Sequence, residues 1–381
     1  MRSKAFFING GAGRVICSIP AFEKYAETHE DFIIVCEGGT DFFKGHPILH
    51  NKVYDNWHKG LFEDQLIHRD LISPEPYRNW HYYNQKCSLS QAFDIIINDL
   101  DDPRELPDPT LNLTKMEVCT AQNILKEIKS GTGKDKVVII QPFGRSVQSL
   151  EDFIVDPTSR SMNLVNTIDI INDLKKDYSI IIMSEIHFPL EENEDKSKYK
   201  VARPQIEDVR LWAALIEGAD HFIGCDSVGQ HIAKAVGTTA TIIIGSTFPI
   251  NISYPNFSGF DIIDIGDGKR KYDPIRVSID DERTRFNDQS CEMSKEQVKM
   301  VIESARKRLG KSVEYKRPQI EPKKPDSSTN NNSGYPIVPS QLPSLKPQKL
   351  EIPNSILSSA SKTKVSKGFK EEVENLLKST K

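Results

Sequence analysis

The sequence predicts an α/β fold of two Rossmann-like parallel-sheet domains facing a cleft, followed by a disordered C-terminal tail. Three observations predict it. The stretch Asp220–Ser246, DHFIGCDSVGQHIAKAVGTTATIIIGS, passes from an apolar run to helical spacing and back to an apolar run. That order is the strand, helix and buried strand of a parallel βαβ unit. Residues 5–36 run through the same order with a glycine-rich turn after the first strand. Finally, eight of the chain's 22 prolines fall between Pro318 and Pro353, among Lys, Ser and Asn. Such a composition buries too little apolar surface to offset the entropy of folding. The expected boundaries are 1–130, 131–310 and 311–381.

In order, Ala5–Ile8 reads as the first strand, Asn9–Arg14 (NGGAGR) as a tight turn, and Val15–Thr28 as a helix. Pro20 within that helix is expected to end or kink its first turns. Asp31–Cys36 is the second strand, and Lys52–Tyr54 a short one. Residues 38–86 are dense in aromatics and histidines, among them Phe42, Phe43, His46, Trp57, Tyr77, Trp80, Tyr82 and Tyr83. Flat rings in such number suit an acceptor-binding surface, since they stack on sugars and bases alike. A helix over Gln91–Asn98, an acidic Pro-rich crossing at 101–109 and a helix over Lys115–Lys129 follow, with GTGK at 131–134 as the interdomain break.

The rhythm then restarts. Val137–Gln141 is a buried strand leaving through the turn Pro142–Ser146, Leu164–Leu174 a helix, Tyr178–Met183 a strand, and 187–206 a polar loop. Asp208–Glu217 is a helix, Phe260–Ile265 the last strand, and Ser294–Leu309 a helix whose Ser294 and Gln297 form a capping box. In the tail, Lys367–Lys378 has the spacing of a short amphipathic helix suited to a protein partner or to the body.

Charge and composition exclude several classes. The net charge of −4 divides into +6 over residues 311–381 and −10 over the first 310, a balance that does not suggest a general nucleic-acid binder but leaves room for a local basic groove. The six cysteines have no CxxC spacing and read as small hydrophobes, so no metal site or dithiol centre is expected. No run of 18 apolar residues suggests a membrane span, and a cytoplasmic location is the expectation.

At this point the motifs resemble a known family. NGGAGRVICSIPAFEKY, GCDSVGQHIAKAVG and TIIIGSTFPI, with a weaker match at QPFGRS, are similar to segments of the lipopolysaccharide heptosyltransferase family of glycosyltransferases. The resemblance covers about residues 1–310 and is most specific at 220–250. It implies the GT-B fold and transfer of a sugar with inversion and without a catalytic metal. It also implies a nucleotide-sugar as co-substrate rather than a resident cofactor.

On that division Ser227, Gly229, Gln230 and His231 meet the donor diphosphate at a helix N-terminus, where free N–H groups attract anions. Thr247 contacts phosphate, and Arg145 shares the same anionic group with His231, both in an open cleft. Asp226 fixes the loop by accepting backbone N–H bonds. Gly11 and Gly13 either permit a tight turn or open N–H groups toward a ligand. The family's catalytic Asp falls at Arg14, which stays protonated and cannot accept a proton. Arg14 is therefore assigned to phosphate or an anionic acceptor, and Asp41, His46 or Glu75 to the base. Two other readings stand beside the enzyme: a glycosyltransferase acting on a hydroxylated base in modified DNA, and a binding or assembly protein that kept the shell.

Overall fold

The computed structural model describes residues 2–150, 153–156, 158–190, 201–270 and 292–317, all within one compact unit, Met1–Gln319. The tail from 318 onward, with the helix expected at Lys367–Lys378, lies outside the described residues, as does Cys291.

The N-terminal half runs β1 (Lys4–Ile8), α1 (Ala12–Ala26), β2 (Phe32–Cys36), β3 (Val53–Asp55), β4 (Asp70–Ile72), α2 (Trp80–Tyr83), α3 (Leu89–Ile97) and α4 (Lys115–Thr132). Its sheet has the order β3-β2-β1-β4, every pair parallel. Side chains alternate between two covered faces, which is why β1 and β2 read as unbroken apolar runs. Phe6, Ile8, Phe32, Ile34 and Cys36 enter the main core with α1 and α3, while Ala5, Ile33 and Val35 meet Leu61 on the other side.

The C-terminal half runs β5 (Val137–Gln141), the antiparallel pair β6 (Gln148–Leu150) and β7 (Phe153–Val155), α5 (Leu164–Leu174), β8 (Ser179–Ile182), α6 (Val209–Gly218), β9 (His221–Cys225), α7 (Val228–Val236), β10 (Ala240–Ile244), α8 (Pro249–Ile252), β11 (Phe260–Asp264) and α9 (Lys295–Leu309). The order β11-β10-β9-β5-β8 is again all parallel. Val138, Ile140, Ile180, Ile182, Ile223 and Ile243 form a second core under α5 and α9. The capping box of Ser294 and Gln297 opens α9 as expected.

The two sheets form a cleft at the ends of their strands, but elsewhere the halves are joined. One apolar cluster contains Phe6, Val15 and Phe93 as well as Val137, Ile232 and Ile242. Arg210 of α6, 2% exposed, reaches across to the N-terminal half. It donates to both carboxylate oxygens of Glu117 at 2.5 and 2.9 Å, and to the carbonyls of Asp41 and Asn112 at 2.9 and 2.7 Å. Asn251 donates across the same boundary to the carbonyls of Tyr82 and Cys87 at 2.7 and 2.9 Å.

Four local expectations change. The helix after the glycines begins at Ala12, so Gly13 and Arg14 belong to its first turn rather than to a loop. Pro20 sits inside a single helix spanning Ala12–Ala26 and does not end it; only its own N–H is missing from the ladder. The edge strand β4 was not expected, because it is three residues long and begins with an exposed Asp. Residues 311–317 also do not leave the body: Asp135 and Tyr315 N–H groups donate to Val313 and Gly133 carbonyls, pinning this segment beside the start of β5.

No described helix is long and apolar enough to cross a membrane.

Candidate functional site

At the exits of β9 and β10, Asp226 is 2% exposed and accepts from the Thr247 hydroxyl at 2.8 Å and the Gln230 side-chain amide at 3.2 Å. Its partners are thus side chains, not the backbone N–H groups expected. Burial raises its carboxyl above the ordinary range, and the nearby Arg160 offsets this only in part. Sequence reasoning missed Arg160, because no local motif marks it. The carboxylate of Asp156 accepts from the Thr158, Arg160 and Ser161 N–H groups and from the Thr158 hydroxyl, folding the turn that carries it. Arg160 Nε donates to Thr158 at 3.1 Å, and among the described residues its side chain makes no ion pair within 4.0 Å. Burial works against its charge, but Asp226, Tyr77 and Asp156 together outweigh that and raise its pKa.

The N-terminus of α7 is partly occupied. The Gly229 N–H donates to the Gln141 side-chain oxygen at 2.9 Å, and Gln141 donates to the Ser227 hydroxyl at 3.3 Å. A Cβ on Gly229 would stand 2.3 Å from that oxygen and 2.4 Å from the Phe222 ring, so close packing alone requires glycine there. Gln230 is fully buried, and its side-chain oxygen has no partner among the described residues.

The expectation that His231 lies in an open cleft is overturned: it is 3% exposed, packed between the halves. Its Nδ1 lies 2.9 Å from the Tyr254 hydroxyl and 3.4 Å from Cys17 Sγ. A Cβ on Gly13 would be 2.9 Å from His231 Cδ2, so the missing side chain lets α1 and α7 touch. Burial, reinforced by Arg160, pushes the imidazole down to about 4, and burial pushes the Cys17 thiol up to about 12. The pair is a neutral thiol against a neutral ring. Arg145 is exposed in the turn after β5.

In the N-terminal half Gly11 is the N-cap of α1, with open space where a side chain would be. Arg14, 7% exposed, lies between the Tyr77 and Phe93 rings, its guanidinium carbon 5.1 and 5.6 Å from their centroids. It donates to the Pro74 carbonyl at 3.2 Å and stands 3.8 Å from the Glu75 carboxylate, which also accepts from Asn9 at 2.9 Å.

The other two base candidates are elsewhere. His46 is 2% exposed with both nitrogens engaged: Nε2 faces Glu23 at 3.0 Å, and Nδ1 accepts from Leu49 and Ile48 N–H groups. A buried polar residue and a catalytic one look alike in sequence, and here both ring nitrogens already have partners. The Asp41 side chain pairs with Lys44 at 2.6 Å, toward solvent. The aromatic segment also divides: Phe42, Phe43 and Tyr82 are core, whereas Trp57 and Trp80 are exposed.

Among the described residues no group of three or more His, Cys, Asp and Glu gathers as a metal ion would need. A groove of about 590 Å³ lies at the entry end of the C-terminal sheet, bordered by Lys176, Tyr178 and Arg306. Lys176 and Arg306 are paired there with Asp173 and Asp177.

Two parallel-sheet halves with a cleft at their strand ends define the GT-B fold, and solved structures are similar to it at low sequence identity. A solved glycosyl transferase family 9 protein from Veillonella parvula is similar at 13% identity, with a TM-score of 0.53 over 80% of this chain and 96% of that one. E. coli ADP-heptose lipopolysaccharide heptosyltransferase II is similar at 11% identity and a TM-score of 0.46, over 79% and 99%. The iron-containing dodecameric glycosyltransferase TibC of enterotoxigenic E. coli is similar at 12% identity and a TM-score of 0.49, over 81% and 77%. No protein-family model matches the chain. No curated protein matches it.

Proposed function

We propose that this protein is a glycosyltransferase moving a sugar, with inversion and without a catalytic metal, from a nucleotide-sugar to a hydroxyl acceptor. Its C-terminal half holds the donor. The observation that carries this reading is Arg160, a guanidinium with no ion pair among the described residues, beside Asp226 at the exit of β9. Ligands of open α/β sheets gather at such strand exits. A diphosphate there takes charge-assisted bonds from Arg160 and further ones from Ser227, while Arg145 at the rim reaches its outer oxygens. Asp226, Gln230 and Thr247 form the floor that keeps the loops in register. His231 closes the floor from behind, against α1. The cytoplasmic setting expected from the sequence is part of this proposal.

The test is a panel of ADP-, GDP- and UDP-linked sugars, reading the shift in melting temperature and the release of nucleoside diphosphate. One donor class is expected to stabilise the protein. Arg160→Met should weaken that binding roughly ten- to hundredfold, the loss of one or two charge-assisted bonds of about 1.5–3 kcal/mol. Folded wild-type protein that responds to no donor would remove the proposal.

A further inference from the structure

A second cluster stands past the exits of β1 and β4, where Asn9, Arg14 and Glu75 meet. The Tyr77 ring lies against the Arg14 guanidinium, and Gly13, the neighbour of Arg14 in α1, stands against His231 and Val228 at the start of α7. Glu75 leaves β4 with its side chain 15% exposed. Asn9 donates to one carboxylate oxygen at 2.9 Å, and Arg14 stands 3.8 Å from the other, close enough to attract it but too far to fill it with a hydrogen bond. Two buried polar atoms of the cluster have no partner among the described residues, Arg14 Nε and Asn9 Oδ1. Arg14 is itself more than nine-tenths buried. A donor and an acceptor left unpaired beside a held carboxylate are unfavourable in a closed core and suit a site completed by a ligand.

We infer that Glu75 is the catalytic base, that Arg14 is the residue positioning it, and that the acceptor is a hydroxyl compound completing the bonds of Arg14 Nε and Asn9 Oδ1. This rests on the glycosyltransferase reading above. In the step, the acceptor hydroxyl gives its proton to the Glu75 carboxylate as its oxygen bonds the anomeric carbon of the donor sugar. The bond from that carbon to the diphosphate oxygen breaks, and its electron pair leaves with the nucleoside diphosphate. No oxidant or reductant is needed. The alternatives fit less well, since Asp41 faces Lys44 and solvent and His46 has no nitrogen to spare.

The experiment takes the full chain with the nucleotide-sugar that gives the largest melting shift, and reads nucleoside diphosphate release, to water or to an added hydroxyl compound. Glu75→Gln is expected to keep the donor-induced shift and to lower release about a hundredfold or more, the range for loss of a general base. Glu75→Asp keeps a carboxylate and should retain more activity than Glu75→Gln. Arg14→Gln should lower release alone but add little to Glu75→Gln, because the two act as one unit. Release by Glu75→Gln within threefold of wild type, with the donor shift intact, overturns the inference and leaves the donor reading standing. Should Glu75→Gln fail to fold, Glu75→Asp decides, and folded Glu75→Asp with no measurable release overturns it. Wild-type protein that binds no donor overturns both.

Discussion

His231 and Gly13 form one contact between two helices, and each fixes what the other can be. A methyl group on Gly13 would meet the imidazole at 2.9 Å, within a contact that packed helices cannot easily widen. Gly13→Ala should therefore cost about 1–3 kcal/mol, read as a fall in melting temperature without ligand. Substitution that left melting unchanged would show that the helices part freely. The same ring predicts a pH response. The unfolded chain protonates a histidine near 6.5, whereas buried His231 and His221 are held down to about 4. Between those values the unfolded state binds more protons, so stability falls as pH drops from about 6.5 to 4, by at most about 3 kcal/mol per ring. Asp226 acts in the opposite direction, since its raised carboxyl takes up a proton early in the folded state. His221 lies between the hydroxyls of Thr239 and Thr241, each at 2.9 Å, away from the strand exits. His221→Asn should flatten the melting-versus-pH curve in this window, and an unchanged slope would assign the response to other groups.

At the scale of elements, the strands are legible in sequence wherever both faces are covered. β2, β5, β9 and β10 are uniformly buried, so alternation gives way to continuous apolar runs. Short β4 escapes because its partner β1 supplies what its own sequence lacks. The start of α1 escapes because glycines suggest a turn, while Gly13 is there for the helix behind it. Asp226, Ser227 and Thr247 are brought together by a βαβ spacing that sequence shows, but Arg160 arrives through an Asp156-centred turn that depends on five separate donors. Arg210 is the least legible, since its side-chain partners lie on two distant segments, Asp41 and 112–117. Its fork holds the Glu117 carboxyl down to about 2. That carboxylate therefore adds stability fully above its ordinary 4.5, and the contribution is lost as pH falls toward 2. Arg210→Met should cost about 3 kcal/mol at neutral pH, at the low end for a broken buried pair because Glu117 keeps some water. It should also remove much of the acid sensitivity between 4.5 and 2. Urea midpoints at pH 7 and pH 3 measure both, and equal losses at the two values would count against the ion pair as the source.

At the scale of the whole molecule, the expected pair of sheets is present, and the apolar cluster running from Phe6 to Ile242 ties them into one body. Heating should give a single calorimetric transition for residues 1–317, and two separate transitions would show that the shared cluster does not couple the halves. The shared cluster also bears on inheritance. A chain built as two detachable modules can acquire a new donor or acceptor by recombination, trading one half for a relative's. Here a crossover near residue 130 would strand Arg210 without Glu117 and His231 without Gly13, leaving chimeras with mismatched apolar faces and an unpaired buried charge. New specificity in this lineage is then expected to arise by substitution at the strand exits, with the seam between the halves changing only in compensating pairs.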